Sequence, residues 1–179
     1  MSLQIRAQVD LVKRLYSTTG DPIFVPDTNA LLLNTRLEKW EFGNIKKFTL
    51  VVPAVVLSEL DLLKINHKNQ AVRAKALRLI NQIKDYRRRG SLADGVPLAS
   101  NRSYLKTTAI EPDFEHSLPW LDRTNRDDKL LASLLEVMRL HPHSPVALVT
   151  ADINLQNKAE FARLPFVEPP LDKNKGSKP

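Results

Sequence analysis

The segment VALVTADINLQNKAEFAR, residues 146–163, contains the arrangement that decides the fold. Its first four residues form an uninterrupted apolar run, and with Thr150 the segment has the length of a buried strand. Residues 154–163 read as a helix, and Asp152 lies in the short turn between the two. A strand that is apolar on both faces and leads directly into a helix is typical of a parallel sheet covered by helices.

The same alternation extends along most of the chain, which predicts the α/β class with three layers, α/β/α, around a central parallel sheet. The predicted strands are residues 23–25, 49–52, 104–110, 146–150 and 166–167. The predicted helices are residues 3–15, 30–33, 53–65, 71–89, 129–140 and 154–163. We expect residues 1–21 to be a helical extension, residues 22–168 one domain, and residues 169–179 a disordered tail or linker.

The composition excludes several classes of protein. The 179 residues include no cysteine, so disulfide scaffolds, thiol nucleophiles, zinc fingers and iron–sulfur sites are ruled out. The longest apolar run, residues 50–57, is far shorter than the roughly 20 residues that cross a bilayer. The first ten residues lack the apolar region of a secretory signal. We therefore expect a cytoplasmic protein without a membrane partner.

The positive charge is concentrated in one segment. The chain has a net charge of +7, but residues 64–106 alone contain eleven Lys or Arg against two Asp, a net +9. This surplus indicates an anionic partner such as a nucleic acid. The alternative is a solvated helix face whose last cations complement the helix dipole. The candidate contacts are Lys64, Arg73, Lys84, Arg87, Arg88 and Arg89.

Four separate segments bring acidic residues towards one edge of the predicted sheet. Asp27 and Asp152 follow predicted strands, Glu59 lies on the helix after the second strand, and Asp127 and Asp128 precede a helix. The carboxyl ends of parallel strands are where such sheets bind ligands. Each acid also has a structural alternative, as a helix cap, a partner of the helix dipole or a solvated residue.

Converging carboxylates repel one another and are tolerated when a cation compensates them. An all-oxygen cluster without cysteine, in a chain whose histidines are dispersed, favours Mg²⁺ or Mn²⁺ over zinc. Such a centre suits phosphodiester hydrolysis. The sequence contains no Ser-His-Asp elbow, glycine-rich phosphate loop or dinucleotide fingerprint that would support another chemistry.

Four motifs give the chain a family resemblance. VPDTN (25–29), VVP leading to SELD (51–61), DDKLLA (127–132) and LVTADINLQNKA (148–159) resemble the motifs of PIN-domain nucleases. The likeness is to the PIN domains found beside PhoH-like ATPases and in the endonuclease of nonsense-mediated decay. The resemblance implies a Rossmann-like fold over residues 22–168. It also implies Mg²⁺- or Mn²⁺-dependent endonucleolytic cleavage of single-stranded RNA.

The resemblance also implies roles for individual residues. The catalytic and metal-binding acids would be Asp27, Glu59, Asp127 and Asp152, with Thr28, Asn29 and Thr150 supporting them. Both Asp127 and Asp128 partly fit the third motif. Asp127 is favoured because the spacing to the following apolar residues aligns better from it, and Asp128 is kept as a further metal-ligand candidate. Residues 90–125 match no motif, so their role stays open.

We therefore predict a metal-dependent endoribonuclease. A toxin of a toxin–antitoxin pair is one enzymatic variant of this interpretation. A non-catalytic PIN-type module that binds RNA or protein is the alternative of a different class. A receiver-like or phosphatase-like domain is disfavoured, because Asp27-Thr28-Asn29 is not the Asp-x-Asp that it would need. Two further hypotheses concern partners. One is an ATPase domain, attached or separate, and the other is a second copy of the chain in a homo-oligomer.

Overall fold

A computed structural model describes residues 20–99 and 102–171. The strands and helices are, in chain order, β1 Ile23–Pro26, α1 Thr28–Leu33, β2 Phe48–Pro53, α2 Ala54–Asn66, α3 Gln70–Arg89, β3 Val96–Ala99, β4 Ser103–Thr108, α4 Arg126–Leu140, β5 Val146–Val149, α5 Ile153–Phe161 and β6 Phe166–Val167. A short 3-10 helix covers Leu37–Lys39. The helix predicted over residues 3–15 lies outside the described residues.

The six strands form one sheet in the order β3-β4-β2-β1-β5-β6. All pairings are parallel except that between β3 and β4. The chain moves from β1 to β2 and β4 in one direction and returns to β5 and β6 in the other. With right-handed crossovers, α1–α3 therefore cover one face and α4 and α5 the other. The predicted three-layer α/β/α class is confirmed.

The predicted central parallel sheet carries one antiparallel edge strand that the sequence did not predict. β3 lies in the segment where the sequence predicts only one strand, and it runs antiparallel to β4, with Val96 opposite Leu105. Pro97 lacks a backbone N–H, which is tolerated because β3 is an edge strand and its pairing is interrupted between Pro97 and Ala99. Two neighbouring strands thus occupy part of residues 90–125.

The central strands form the core of the domain. Every residue of β1 and β5 is buried, as their unbroken apolar runs predict for strands covered on both faces. The Phe24 ring in β1 stacks on that of Phe42, with centroids 3.7 Å apart. A closely packed centre of this kind holds the ends of β1 and β5 in fixed positions.

The helix α4 begins earlier than its apolar periodicity predicts. Its first residue is Arg126 rather than Lys129, and the Asn125 side chain caps it by accepting a hydrogen bond from the Asp128 N–H at 3.2 Å. Asp127 and Asp128 therefore lie in the first helical turn, at the carboxyl edge of the sheet. In the described part of the chain, no helix has the length and apolar character needed to cross a membrane.

Candidate active site

The carboxyl edge of the sheet contains a cavity of about 110 Å³ lined by four acids. Asp27 directly follows β1, and Asp152 follows the neighbouring strand β5. Glu59 comes from α2, and Asp127 from the first turn of α4. The remaining lining residues are Thr28, Asn29, Val55, Val56, Arg126, Leu130 and Leu155. The four acids, which are up to 125 positions apart in the chain, thus meet at the place that the strand ends predict.

Asp27 is the most deeply buried of these acids, with 5% of its surface exposed. Its Oδ1 accepts the Ala30 N–H at 2.5 Å, and its Oδ2 accepts the Thr150 hydroxyl. Burial raises the pKa of Asp27, the two hydrogen bonds oppose that rise, and the negative charges of Asp152 and Glu59 add to it. The folded chain therefore holds a carboxylate here whose charge is poorly compensated.

Thr150 connects the ends of β1 and β5. It is fully buried, and its Oγ1 donates to Asp27 and accepts the Asp152 N–H at 3.0 Å. The Asp152 Oδ1 in turn accepts the backbone N–H groups of Asn154 and Leu155 at 2.8 and 3.3 Å. Asp27 and Asp152 thus have the helix-cap role that was the alternative to a role in a site, since they cap α1 and α5. They also line the cavity.

Glu59 has partners from two other elements. Its Oε2 accepts the Thr28 hydroxyl at 2.6 Å, and Arg126 lies 3.4 Å from its Oε1. Thr28 therefore orients an acid, whereas Asn29 is exposed and lines the cavity. Arg126 is a cavity residue that sequence reasoning did not single out. The only signal for it is its position immediately before Asp127.

The structure separates the two adjacent acids of α4. The Asp127 side chain is 44% exposed and lines the cavity. That of Asp128 is 8% exposed; its Oδ1 accepts Lys158 Nζ at 2.7 Å and its Oδ2 accepts the Asp122 N–H at 3.0 Å. Asp128 is not among the residues that line the cavity, so the geometry favours Asp127. Both assignments as metal ligands stay predictions.

Burial also raises the pKa of Asp127. Lys158, whose Nζ lies 3.8 Å from the Asp127 Oδ2, opposes this rise, and the negative charges of Asp152, Asp128 and Glu59 add to it. Lys158 is a second cation that sequence reasoning missed. It lies within the last quoted motif, but nothing in that motif distinguishes it from a solvated helix lysine.

The donor atoms are of the type that a hard divalent cation prefers, because all four acids offer carboxylate oxygens. The raised pKa values of Asp27 and Asp127 show that their negative charges are poorly stabilised without such a cation. Within residues 20–99 and 102–171, however, no group of three acidic or histidine side chains is close enough to hold one metal ion. Binding one ion to three of them therefore requires these side chains to rotate towards one another. Arg126 and Lys158 are the cations that contact the acids instead.

The predicted RNA contacts differ in their surroundings. Lys64 is paired with Asp61, and Arg73 donates to the His67 carbonyl at 2.6 Å, which ties α3 to the end of α2. At the end of α3, Arg88 lies 2.8 Å from Asp85, and Arg89 lies over the Tyr86 ring. Lys84 and Arg87 are exposed. Arg73 therefore has an evident structural role, and the end of α3 offers the accessible cations.

The end of α3 lies at the same edge of the sheet as the acids. The Leu92 carbonyl, just after α3, accepts the Thr107 N–H of β4 at 3.0 Å. β4 is separated from β1 by one strand, so it is about 10 Å from β1 across the sheet. A larger groove of about 760 Å³ along α3 contains Arg36, Arg78 and Arg89 but none of the four cavity acids.

The protein is a three-layer α/β domain with a mostly parallel sheet, and carboxylates gather at the carboxyl ends of its central strands. The model of the PIN domain, a nuclease-type fold, matches residues 24–168, so the chain belongs to the PIN domain family. The chain is also similar to Transcriptional protein SWT1 of Homo sapiens, with 29% identity over 167 residues. That match covers 88% of this chain and 17% of the human protein, so the chain spans less than a fifth of this relative.

Proposed function

We propose that the chain is a divalent-metal-dependent endoribonuclease that hydrolyses phosphodiester bonds of single-stranded RNA. The observation that carries the proposal is the convergence of Asp27, Glu59, Asp127 and Asp152 on one cavity. Arg126 and Lys158 offset only part of their negative charge, which supports a further cation as their partner. When bound, Mg²⁺ or Mn²⁺ supplies an activated water and offsets the charge that develops on the leaving oxygen.

The side chains around the cavity have distinct tasks in this proposal. The four acids would hold the cation, the Thr150 hydroxyl keeps the Asp27 carboxylate oriented, and the Thr28 hydroxyl does the same for Glu59. The guanidinium of Arg126 is mostly exposed at the same cavity, where it suits a phosphate oxygen of the substrate. When Arg126 binds a phosphate, it releases the Glu59 carboxylate, which then becomes available to the cation.

The exposed cations at the end of α3 would recruit the RNA strand. Contacts from Lys84, Arg87, Arg88 and Arg89 to phosphates would bind without reading the base sequence. Their position at the carboxyl edge of the sheet supports a strand path that leads from them to the acids.

Replacing Asp27 or Asp152 by asparagine tests the proposal. Each variant should lose Mn²⁺-dependent cleavage of an unstructured RNA by about 100-fold or more, because a cation ligand is removed while the helix cap is retained. Asp61→Asn is the matched control, since Asp61 is an exposed acid of α2 that pairs with Lys64 outside the cavity. Cleavage by both Asp27→Asn and Asp152→Asn at the rate of Asp61→Asn would refute the proposal.

The second candidate is a PIN-type module that binds RNA or protein without cutting RNA. The observation in its favour is that, among the described residues, no three acids stand close enough for one ion, while Arg126 contacts Glu59. Calorimetric titration with Mn²⁺ separates the two candidates. The nuclease should bind Mn²⁺ with an affinity that Asp27→Asn reduces, whereas the module should show no such binding and no cleavage.

A further inference from the structure

Two aromatic side chains are exposed beside the candidate active site. Trp120 is 39% exposed and Phe161 is 77% exposed, and their ring centroids lie 5.5 Å apart at an interplanar angle of 72°. Trp120 comes from the segment after β4 whose role the sequence left open, and Phe161 is the last residue of α5. In such an edge-to-face pair the two rings do not cover each other's faces as stacked rings do, and the larger exposed area is that of Phe161.

Contacts connect this pair to the acids. Phe161 lies three residues after Lys158, so the two share one side of α5. Lys158 contacts Asp128 at 2.7 Å and lies 3.8 Å from Asp127, which lines the cavity. On the other side, the N–H of Asp122, two residues after Trp120, donates to Asp128 at 3.0 Å.

The backbone of Phe161 is one helix length away from Asp152. α5 begins directly after Asp152 and ends at Phe161, nine residues later, which at 1.5 Å per residue is about 14 Å. A strand that is held at the rings therefore reaches the cavity within a few nucleotides.

Two arginines lie in the segment between the pair and the cavity. Arg123 and Arg126 are exposed in the segment that leads from Trp120 to the cavity. Asp122 and Glu160 are exposed acids in the same region, so the two positive and two negative charges balance there. Arg123 lies over the Phe114 ring, 5.9 Å from its centroid, and Arg126 contacts Glu59, so a phosphate of the strand would take each guanidinium over from its present partner.

The size of the patch distinguishes a nucleotide from a protein partner. A stable protein interface buries about 800 Å² on each partner, whereas a whole aromatic side chain buries about 150–250 Å². Two partly exposed rings therefore fall well short of a protein interface, but they match the face of one or two bases.

We propose that Trp120 and Phe161 form a stacking surface for unpaired bases of the RNA strand that enters the cavity. This inference rests on the proposed function, because it takes single-stranded RNA as the ligand. Aromatic rings accept any base on their faces, so the surface would bind without sequence preference. The bases of a duplex are stacked on one another and cannot use it, which gives a physical reason for a preference for single strands.

Substitutions that keep apolar bulk but remove the ring test the inference. In the full chain with EDTA present, Trp120→Leu and Phe161→Leu should each bind an unstructured 12-nucleotide RNA roughly five- to 150-fold more weakly than wild type. The slope of affinity against salt should stay unchanged, because every phosphate contact is retained. Leu140→Ala, an exposed apolar position at the far end of α4, is the matched control and should bind normally.

Tryptophan fluorescence gives an independent readout. The chain has two tryptophans, and Trp40 is buried whereas Trp120 is exposed. Binding of RNA should quench the emission of Trp120, and Trp120→Leu should abolish that change. An RNA of the same length with abasic sites should bind wild type no more tightly than it binds the leucine variants.

Three results would overturn the inference. The first is wild-type affinity in both leucine variants when their circular dichroism matches wild type. The second is equal binding of the abasic and the normal RNA by wild type. The third is a change in oligomeric state with unchanged RNA affinity, which would assign the rings to a contact with a second copy. Since binding is measured in EDTA, failure here is distinguishable from failure of the nuclease proposal, which depends on Mn²⁺-dependent cleavage.

Discussion

Asp127→Asn and Asp128→Asn should have opposite effects on stability and activity, although the two residues are neighbours. Asp128 is almost fully buried, and its charge is matched by Lys158 at 2.7 Å and the Asp122 N–H at 3.0 Å. Removing one partner of a buried ion pair costs about 3–5 kcal/mol, and a hydrogen bond to a charged group contributes about 1.5–3 kcal/mol. Because the Lys158 side chain is 30% exposed, we expect Asp128→Asn to lower the free energy of unfolding by about 2–3 kcal/mol.

Asp127 has no comparable stabilising role. Its pKa is raised by burial, and nearby carboxylates add to that rise, so its charge is destabilising in the absence of a cation. Asp127→Asn should therefore leave the free energy of unfolding unchanged or raise it slightly, while it should abolish the proposed cleavage of RNA by removing a proposed cation ligand.

Thermal unfolding in EDTA, followed by a cleavage assay with Mn²⁺, measures both effects. In a domain of this size, each kcal/mol shifts the midpoint by about 2–4 °C, so Asp128→Asn should melt about 4–12 °C below wild type. Below its own midpoint it should retain most of the cleavage rate, whereas Asp127→Asn should melt normally and be inactive. Two results would refute this account: Asp127→Asn melting as low as Asp128→Asn, or Asp128→Asn being inactive with an unchanged midpoint.

Two further predictions concern the buried acid and the basic helix end. In EDTA, Asp27→Asn should be at least as stable as wild type at pH 7, and its advantage should shrink on acidification. The reason is that the raised pKa of Asp27 makes the folded chain bind a proton more tightly than the unfolded chain does. The free energy of unfolding of wild type therefore falls as the pH rises from the ordinary value of 3.8 through the raised pKa. An advantage of Asp27→Asn that does not depend on pH would contradict this account. Replacing Arg87, Arg88 and Arg89 by glutamine should weaken RNA binding and reduce the slope of log affinity against log salt by about 0.7 for each phosphate that is no longer bound. An unchanged slope in a titration from low to high salt would mean that these cations form only a solvated helix end.

The parts of the fold that follow from local pattern could be predicted from the sequence. The apolar runs of β1 and β5 and the helices after them indicate a parallel sheet, because strands buried on both faces have no polar alternation. β3 could not be predicted, since four residues that include Pro97 become a strand only through their pairing with β4. The early start of α4 was missed because apolar periodicity does not extend to its polar first turn.

The position of the site was predictable for a related reason. An acid just beyond a buried parallel strand must lie at the carboxyl edge, so Asp27 and Asp152 could be placed without the structure. The choice between Asp127 and Asp128 depends on Lys158 and on the Asp122 backbone, which come from other parts of the chain. The pairing of Trp120 with Phe161 likewise has no signal along the sequence, because it joins an irregular segment to the end of a helix.

The hydrogen bond from Thr150 to Asp27 joins residues 123 positions apart, and it has a consequence for synthesis of the chain. β1 lies between β2 and β5, so one of its edges stays unpaired until the ribosome has released β5. A nascent chain in that state presents a bare strand edge, which invites association with other chains and is a target for chaperones. The same delay has a second consequence. A prematurely terminated chain lacks Thr150 and Asp152, so truncated products of translation cannot complete the proposed cutting centre.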